Sequence, residues 1–201
     1  GHKFGEWTTK TPVSIYEVGI EEKECANCGE KETQIIPALS EKYSIFVGNE
    51  GFEDFETAIL VAIDSELPVH LVRGTYKMPS ISGKTLTIES QGEAVIDAST
   101  AIGLPGATLT FKNIIFEGTN NNYVGFQHTT KVVYEGCTFN NSLFLYATEV
   151  VFNKCEINLT SQYLWTYSAG EVTFNECVFN TEGKALLVYA EGGVTDQTVN
   201  I

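Results

Sequence analysis

The chain predicts an all-β stacked solenoid, and three observations carry that prediction. The first is an eight-residue unit found four times: Leu-Thr-Phe-Lys-Asn-Ile-Ile-Phe from Leu109, Val-Val-Tyr-Glu-Gly-Cys-Thr-Phe from Val132, Val-Val-Phe-Asn-Lys-Cys-Glu-Ile from Val150 and Val-Thr-Phe-Asn-Glu-Cys-Val-Phe from Val172. The second is the spacing of its starts, 132−109 = 23, 150−132 = 18 and 172−150 = 22 residues, which suits coils that stack on one another. The third is the pattern within the unit. Large apolar residues stand at positions one and three, two mostly polar residues follow, and apolar residues return at six and eight. That describes two short strands around a bend.

Residues 1–43 read as a separate small β-rich module. Short strand-like runs, Glu6–Thr9, Val13–Tyr16 and Thr33–Ile36, are punctuated by Gly and Pro. Acidity is concentrated in the first third of the chain: residues 1–66 carry 14 acids against 5 lysines, or −9 of the net −14. The series His2, Trp7, Gly19, Cys25-Ala-Asn-Cys28-Gly29, Glu32 and Ile36-Pro-Ala-Leu39 resembles a module repeated in surface proteins of Gram-positive gut bacteria. The first Cys of that pattern is replaced here by Ser14. Tetrahedral zinc takes four ligands, and Cys25, Cys28 and His2 fall short of four. No metal or other cofactor is therefore expected, Cys25 and Cys28 being the residues that would hold one. The CxxC reads as a pair that holds a turn.

In residues 44–201, the second unit, Ser44–Val47 reads as a strand. Apolar residues at 52, 55, 59, 62 and 63 then follow helical spacing, with Glu53, Asp54 and Glu56 suiting a helix N-terminus and Pro68 ending the run. Next come Val69–Tyr76, Lys84–Ile88 and Ala94–Asp97. This order resembles the opening of the pectate-lyase-like right-handed parallel β-helix superfamily, in which an amphipathic helix caps the first coil. The resemblance runs from about Phe46 to the end, and implies a helix-capped parallel β-helix of about five coils. Phe111, Tyr134, Phe152 and Phe174 are expected in one buried column, beside Ile114, Cys137, Cys155 and Cys177. A disulfide between cysteines of neighbouring rungs is compatible with that spacing. A final rung is read from Val194, 194−172 = 22 residues after the last repeat begins. No capping helix is read after it, so that edge is expected to meet further domains of a longer parent protein or a pairing partner.

A third strand per coil reads Gly125–His128, Leu143–Tyr146, Leu164–Tyr167 and Leu186–Tyr189. Side chains alternate faces along a strand, so two registers are open. In one, Phe126, Phe144, Trp165 and Leu187 form an outer stripe with His128, Tyr146, Tyr167 and Tyr189 beside it; in the other these rings are core. The outward register would give a ladder of amphipathic rings suited to sugar. Phe126, His128, Phe144, Tyr146, Trp165, Tyr167 and Tyr189 are thus the candidate ligand-binding residues.

The resemblance raises the question of polysaccharide chemistry, and the residues argue against it. Arg73 is the only arginine and lies beside Gly74-Thr-Tyr76, away from any acid cluster. Asp97 and Asp196 occupy distant rungs. The residue sets of pectate lyases, polygalacturonases and pectin esterases cannot be assembled. Glutamate pairs such as Glu135 with Glu156, or Glu149 with Glu171, read as solvated faces, and no catalytic residue is named. A net charge of −14 disfavours nucleic acid and acidic polysaccharides as partners. No run reaches the roughly 18 apolar residues of a membrane span. The expectation is a non-catalytic segment of a bacterial surface or secreted protein, extracellular, serving adhesion or glycan binding on a host or glycan ligand. A divergent polysaccharide lyase or hydrolase and a purely structural spacer are the alternatives.

Overall fold

The structure is a computed structural model and describes residues 1–97, 99, 102–118, 125–140, 145–159, 163–166, 169–189 and 196–201. Its larger part is a parallel β-solenoid of about five turns. One long sheet runs, in spatial order, Glu50–Phe52, Ile45–Val47, Val69–Leu71, Thr85–Ser90, Thr108–Lys112, Lys131–Glu135, Glu149–Asn153, Glu171–Asn175 and Thr198–Asn200. A second holds Gly74–Tyr76, Ala94–Asp97, Ile115–Glu117, Thr138–Phe139, Glu156–Leu159 and Val178–Thr181. From Val69–Leu71 onward every pairing in these two sheets is parallel and in unbroken register.

That register follows from side-chain size. Leu86, Leu109, Val132, Val150 and Val172 share one buried row. Ile88, Phe111, Tyr134, Phe152 and Phe174 share the next, with ring centroids 5.7, 4.9 and 4.8 Å apart from Phe111 to Phe174. Slipping one coil by a single residue would turn that coil's members of both rows out to solvent. The second sheet contributes Ile96, Phe116, Phe139 and Ile157, all buried, and Phe116 stacks on Phe139 at 4.9 Å. Cys137 and Cys155 are buried, Cys177 is half-buried, and all three are free thiols rather than disulfides. Each Sγ instead donates to a carbonyl of the preceding coil: Cys137 to Phe111, Cys155 to Tyr134 and Cys177 to Phe152, at 3.4–3.5 Å.

Between the two strands of each repeat the chain turns through a left-handed residue at position five, namely Asn113, Gly136, Lys154 and Glu176, with φ between 53° and 61°. This is the physical content of the polar pair in the repeat. The final rung departs from expectation: Val199, not Val194, pairs with Val172, so the last coil is longer than 22 residues.

The helix spans Phe55–Ser65, starting three residues after the apolar run begins. Asp54 caps it, its carboxylate accepting from the Thr57 amide at 2.7 Å and from the Thr57 hydroxyl at 2.6 Å. Phe55, Ala58, Ile59 and Ala62 are buried against the first coil, covering its apolar end. The N-terminal residues form an antiparallel sheet of Thr8–Thr11, Gly19–Glu24 and Lys31–Ile36. Val13–Tyr16 is a bend rather than a strand, and the strand at Gly19–Glu24 replaces it. In its Ile-Glu-Glu-Lys-Glu sequence the charged Glu21, Glu22 and Lys23 are half-buried while Ile20 is exposed, so no hydrophobic alternation marks it.

Candidate functional site

The alternation of the third strand is resolved where Leu164–Trp165 pairs with Leu186–Leu187 in parallel. Leu164 and Thr166 are fully buried, so Trp165 points away from the coil axis. Its ring stacks on Tyr163 at 5.2 Å with the planes 19° apart, and meets Tyr189 edge-on at 5.9 Å. Lys184 Nζ stands 5.8 Å from the Tyr163 ring centre. Trp165 is half-buried and Tyr189 is 42% exposed. One coil earlier, Leu145 is buried, Tyr146 is half-buried, and the Leu145 amide donates to the Trp165 carbonyl at 2.8 Å.

This group is anchored by a polar plug in the coil beneath it. The Thr166 hydroxyl donates to Gln197 Oε1 at 2.9 Å and accepts from the Tyr189 amide at 3.1 Å. Gln197 Nε2 in turn donates to the carbonyls of Thr166 at 2.5 Å and Tyr189 at 3.1 Å. Buried hydroxyls and amides cost free energy unless they are bonded in this way, so the network specifies where the Tyr189 backbone lies relative to Trp165. In the register that turns Trp165 outward, alternation along the sequence sets Thr166 and Val188 inward; the structure buries Thr166 but leaves Val188 56% exposed, and Gln197 carries no signal in the sequence.

Phe126 does not belong to the outer stripe. It pairs with Ile102 and stacks on the buried Phe111 at 5.3 Å with the planes 14° apart. The cause is local. His128 adopts φ 61°, which breaks the two-residue alternation between Phe126 and the buried Thr129. His128 itself is exposed, and its carbonyl accepts from the Gly106 amide. Phe144 and Tyr167 lie outside the described residues. Of the seven candidates, the structure brings together Trp165 and Tyr189, adds Tyr163, and packs the half-buried Phe126 against the core.

The glutamates weighed as acid pairs are engaged with cations and amides. Glu135 faces Lys112 at 3.6 Å, Glu149 holds Lys131 at 2.6 Å, Glu156 accepts from Asn180 at 3.0 Å and Glu171 from Asn200 at 3.0 Å. Arg73 donates to the Ser40 carbonyl at 3.0 Å, joining the N-terminal module to the first coil. Asp97 is tied to Ser99 and Lys77, and the Ser99 hydroxyl and amide hold its carboxyl below the usual range. A groove of about 670 Å³ lies between the helix C-terminus and the first coils, lined in part by Leu67, Lys84, Glu89 and Lys112; it contains none of the candidate rings.

In the N-terminal module the CxxC closes a tight turn. The Cys25 amide donates to the Glu30 carbonyl, the Gly29 amide to the Cys25 carbonyl, and Gly29 takes φ 73°. Cys25 is buried and Cys28 exposed. Desolvation raises the Cys25 thiol, but hydrogen bonds from the backbone of Asn27 and Lys3, and from Cys28, outweigh it and hold the thiol down to about 6.

No protein-family model, curated protein or solved structure matches this chain. What its architecture defines is a class, the parallel β-solenoid, with a cysteine-bearing antiparallel module ahead of it. Among the described residues no helix is long and apolar enough to cross a membrane.

Proposed function

We propose that this chain is a non-catalytic segment of a bacterial surface or secreted protein that binds a neutral glycan through the rings of Tyr163, Trp165 and Tyr189. The observation that carries the reading is the outward Trp165 between two tyrosines, over an inward Leu164 and Thr166. Flat rings with polar edges meet the apolar faces of sugars, while the tyrosine hydroxyls bond at the rim. A net charge of −14 favours an uncharged sugar over uronic acids. Adhesion is the role this binding would serve.

The spacer reading is favoured by one observation, the inward stacking of Phe126 on Phe111, which shortens the ladder to one end of the solenoid. A glycan array probed with the wild type and with a Trp165→Ala, Tyr189→Ala double variant separates the two. Binding by the wild type that the double variant loses, with unchanged circular dichroism, supports the proposal. Absence of binding by either protein supports the spacer.

A further inference from the structure

We propose that His2, Cys25 and Cys28 form a structural zinc site that fastens the N-terminal segment of the module to its CxxC turn. The three donor atoms lie within 4.8 Å of one another, and Cys28 Sγ is 3.4 Å from His2 Nδ1. A tetrahedral zinc with its usual bond lengths sets sulfur and imidazole nitrogen roughly 3.5 Å apart, and two sulfurs roughly 3.8 Å apart. The donors therefore stand close to the spacing the ion requires, although they come from positions 23 and 26 residues apart in the chain (25−2 and 28−2).

Three further features fit the ion. The Lys3 amide donates to Cys25 Sγ at 3.2 Å, the kind of outer bond that orients a thiolate ligand. Glu30 Oε2 lies 3.1 Å from His2 Nδ1, so a carboxylate stands at the edge of the site, and the fourth position is open to it or to water. The module is mildly acidic: residues 1–43 carry 8 acids against 5 lysines, or −3, which suits a divalent cation.

Ser14, the position at which the resembled pattern has its first Cys, is not a missing ligand. Its hydroxyl accepts from the Glu17 amide and its carbonyl from the Leu39 amide. It neighbours the Gly19 end of the strand Gly19–Glu24, whereas Cys25 follows the other end. Six residues of extended chain place those ends about 17 Å apart. A count of ligands along the sequence reaches Ser14 as the vacancy; the fold moves the vacancy to the neighbourhood of Glu30.

The bond would be structural. Residues 1–4 touch the rest of the module through the Phe4–Cys25 bridge, the Ala26 amide to the Lys3 carbonyl, the Asn27 side-chain amide to the Gly1 carbonyl and the Lys23 ammonium over the Phe4 ring. Metal affinity adds directly to the stability of the folded form.

The test titrates Co²⁺, and then Zn²⁺ in competition, into the full 201-residue chain, reduced and handled without oxygen. The expected result is one ion per chain, with the intense d–d bands of a tetrahedral site and a thiolate-to-cobalt charge-transfer band that Zn²⁺ abolishes. Cys25→Ser with Cys28→Ser should remove the charge-transfer band. His2→Ala changes an exposed side chain, leaves both thiols in place, and should weaken Zn²⁺ binding at least about tenfold. The idea is overturned if the wild type shows no charge-transfer band, if the band survives in the double serine variant, or if His2→Ala binds Zn²⁺ as tightly as the wild type.

Discussion

Replacing Lys154 with Gly should stabilise the protein, although it deletes a side chain and adds flexibility. Lys154 stands at position five of its repeat with φ 53°. A residue with a Cβ pays about 1–2 kcal/mol there, while glycine pays nothing locally but loses roughly 0.4–1 kcal/mol more entropy on folding. The ion pair to Glu176 is 4.0 Å long between side chains 72% and 77% exposed, and such pairs are worth little. The net expectation is a gain of about 0.5–1 kcal/mol. The reverse change, Gly136→Ala, should cost about 0.5–1 kcal/mol by the same balance. There the new Cβ would also sit 2.6 Å from Asn113 Oδ1, and Asn113 is partly held by its bond to the Ser90 carbonyl at 3.3 Å. Urea denaturation followed by tryptophan fluorescence and circular dichroism measures both. In a chain of this size 1 kcal/mol moves the thermal midpoint by about 2–4 °C. Loss of stability in Lys154→Gly, or a neutral Gly136→Ala, would refute the reasoning that every coil requires a left-handed residue at that bend.

Three further outcomes follow from the same geometry. Phe152→Ala, which empties the middle of the aromatic row between Tyr134 and Phe174, should cost about 3–5 kcal/mol and lower the denaturation midpoint accordingly; a cost under about 1 kcal/mol would mean that the row is not packed as described. Asp54→Ala should lower the denaturation midpoint at neutral pH. Because the Thr57 hydroxyl and amide lower the Asp54 carboxyl, that stabilisation is complete above the ordinary carboxylate range and is lost as the pH falls through the depressed value. Wild type and variant should therefore converge in acid, and a difference that stays constant down to low pH contradicts the cap. Tyr16 lies in the module and its hydroxyl meets His70 Nε2 in the first coil at 2.5 Å, His70 Nδ1 lying 3.3 Å from Glu89. Burial, and then Glu93 and Glu89, raise the Tyr16 hydroxyl. Its contribution to docking is thus present below the ordinary phenol range and disappears as the pH rises through the raised value. Ultraviolet titration of tyrosinate should show several late-titrating groups, since burial raises Tyr76 and Tyr134 as well, and Tyr16→Phe should remove one of them.

The rows of the solenoid were legible because they obey a rule that acts locally and repeats. Leu109, Val132, Val150 and Val172 each need the same burial at the same offset from an aromatic residue, so the pattern survives in a single sequence. The bend residues obey a rule that leaves no common chemistry. Asn113, Gly136, Lys154 and Glu176 share a φ and nothing else, since stacking imposes the conformation and the side chain only tolerates it. Phe126 was placed on the wrong face for a related reason. Its run, Gly-Phe-Gln-His, aligns with Leu-Phe-Leu-Tyr by type, but the left-handed His128 between Phe126 and Thr129 reverses the sense in which the alternation must be counted.

The contacts that matter for binding have no local signature, and only His2 with the cysteines is grouped from the sequence, through the resemblance. His2 meets Cys28 across 26 residues, Tyr16 meets His70 across 54 and Thr166 meets Gln197 across 31. Each pair is assembled by an antiparallel turn, a docked module or a lengthened last coil, and none of these elements is fixed by periodicity. The repeats therefore identify which residues cannot be a site, because their side chains are used up in stacking. What remains at the two ends is where chemistry is available: the cysteine turn at the head, with two thiols and an imidazole converging, and the Tyr163–Trp165–Tyr189 group at the tail, where an outward tryptophan is held over a hydrogen-bonded threonine. The two sites are tested by separate variants, so losing one leaves the other standing.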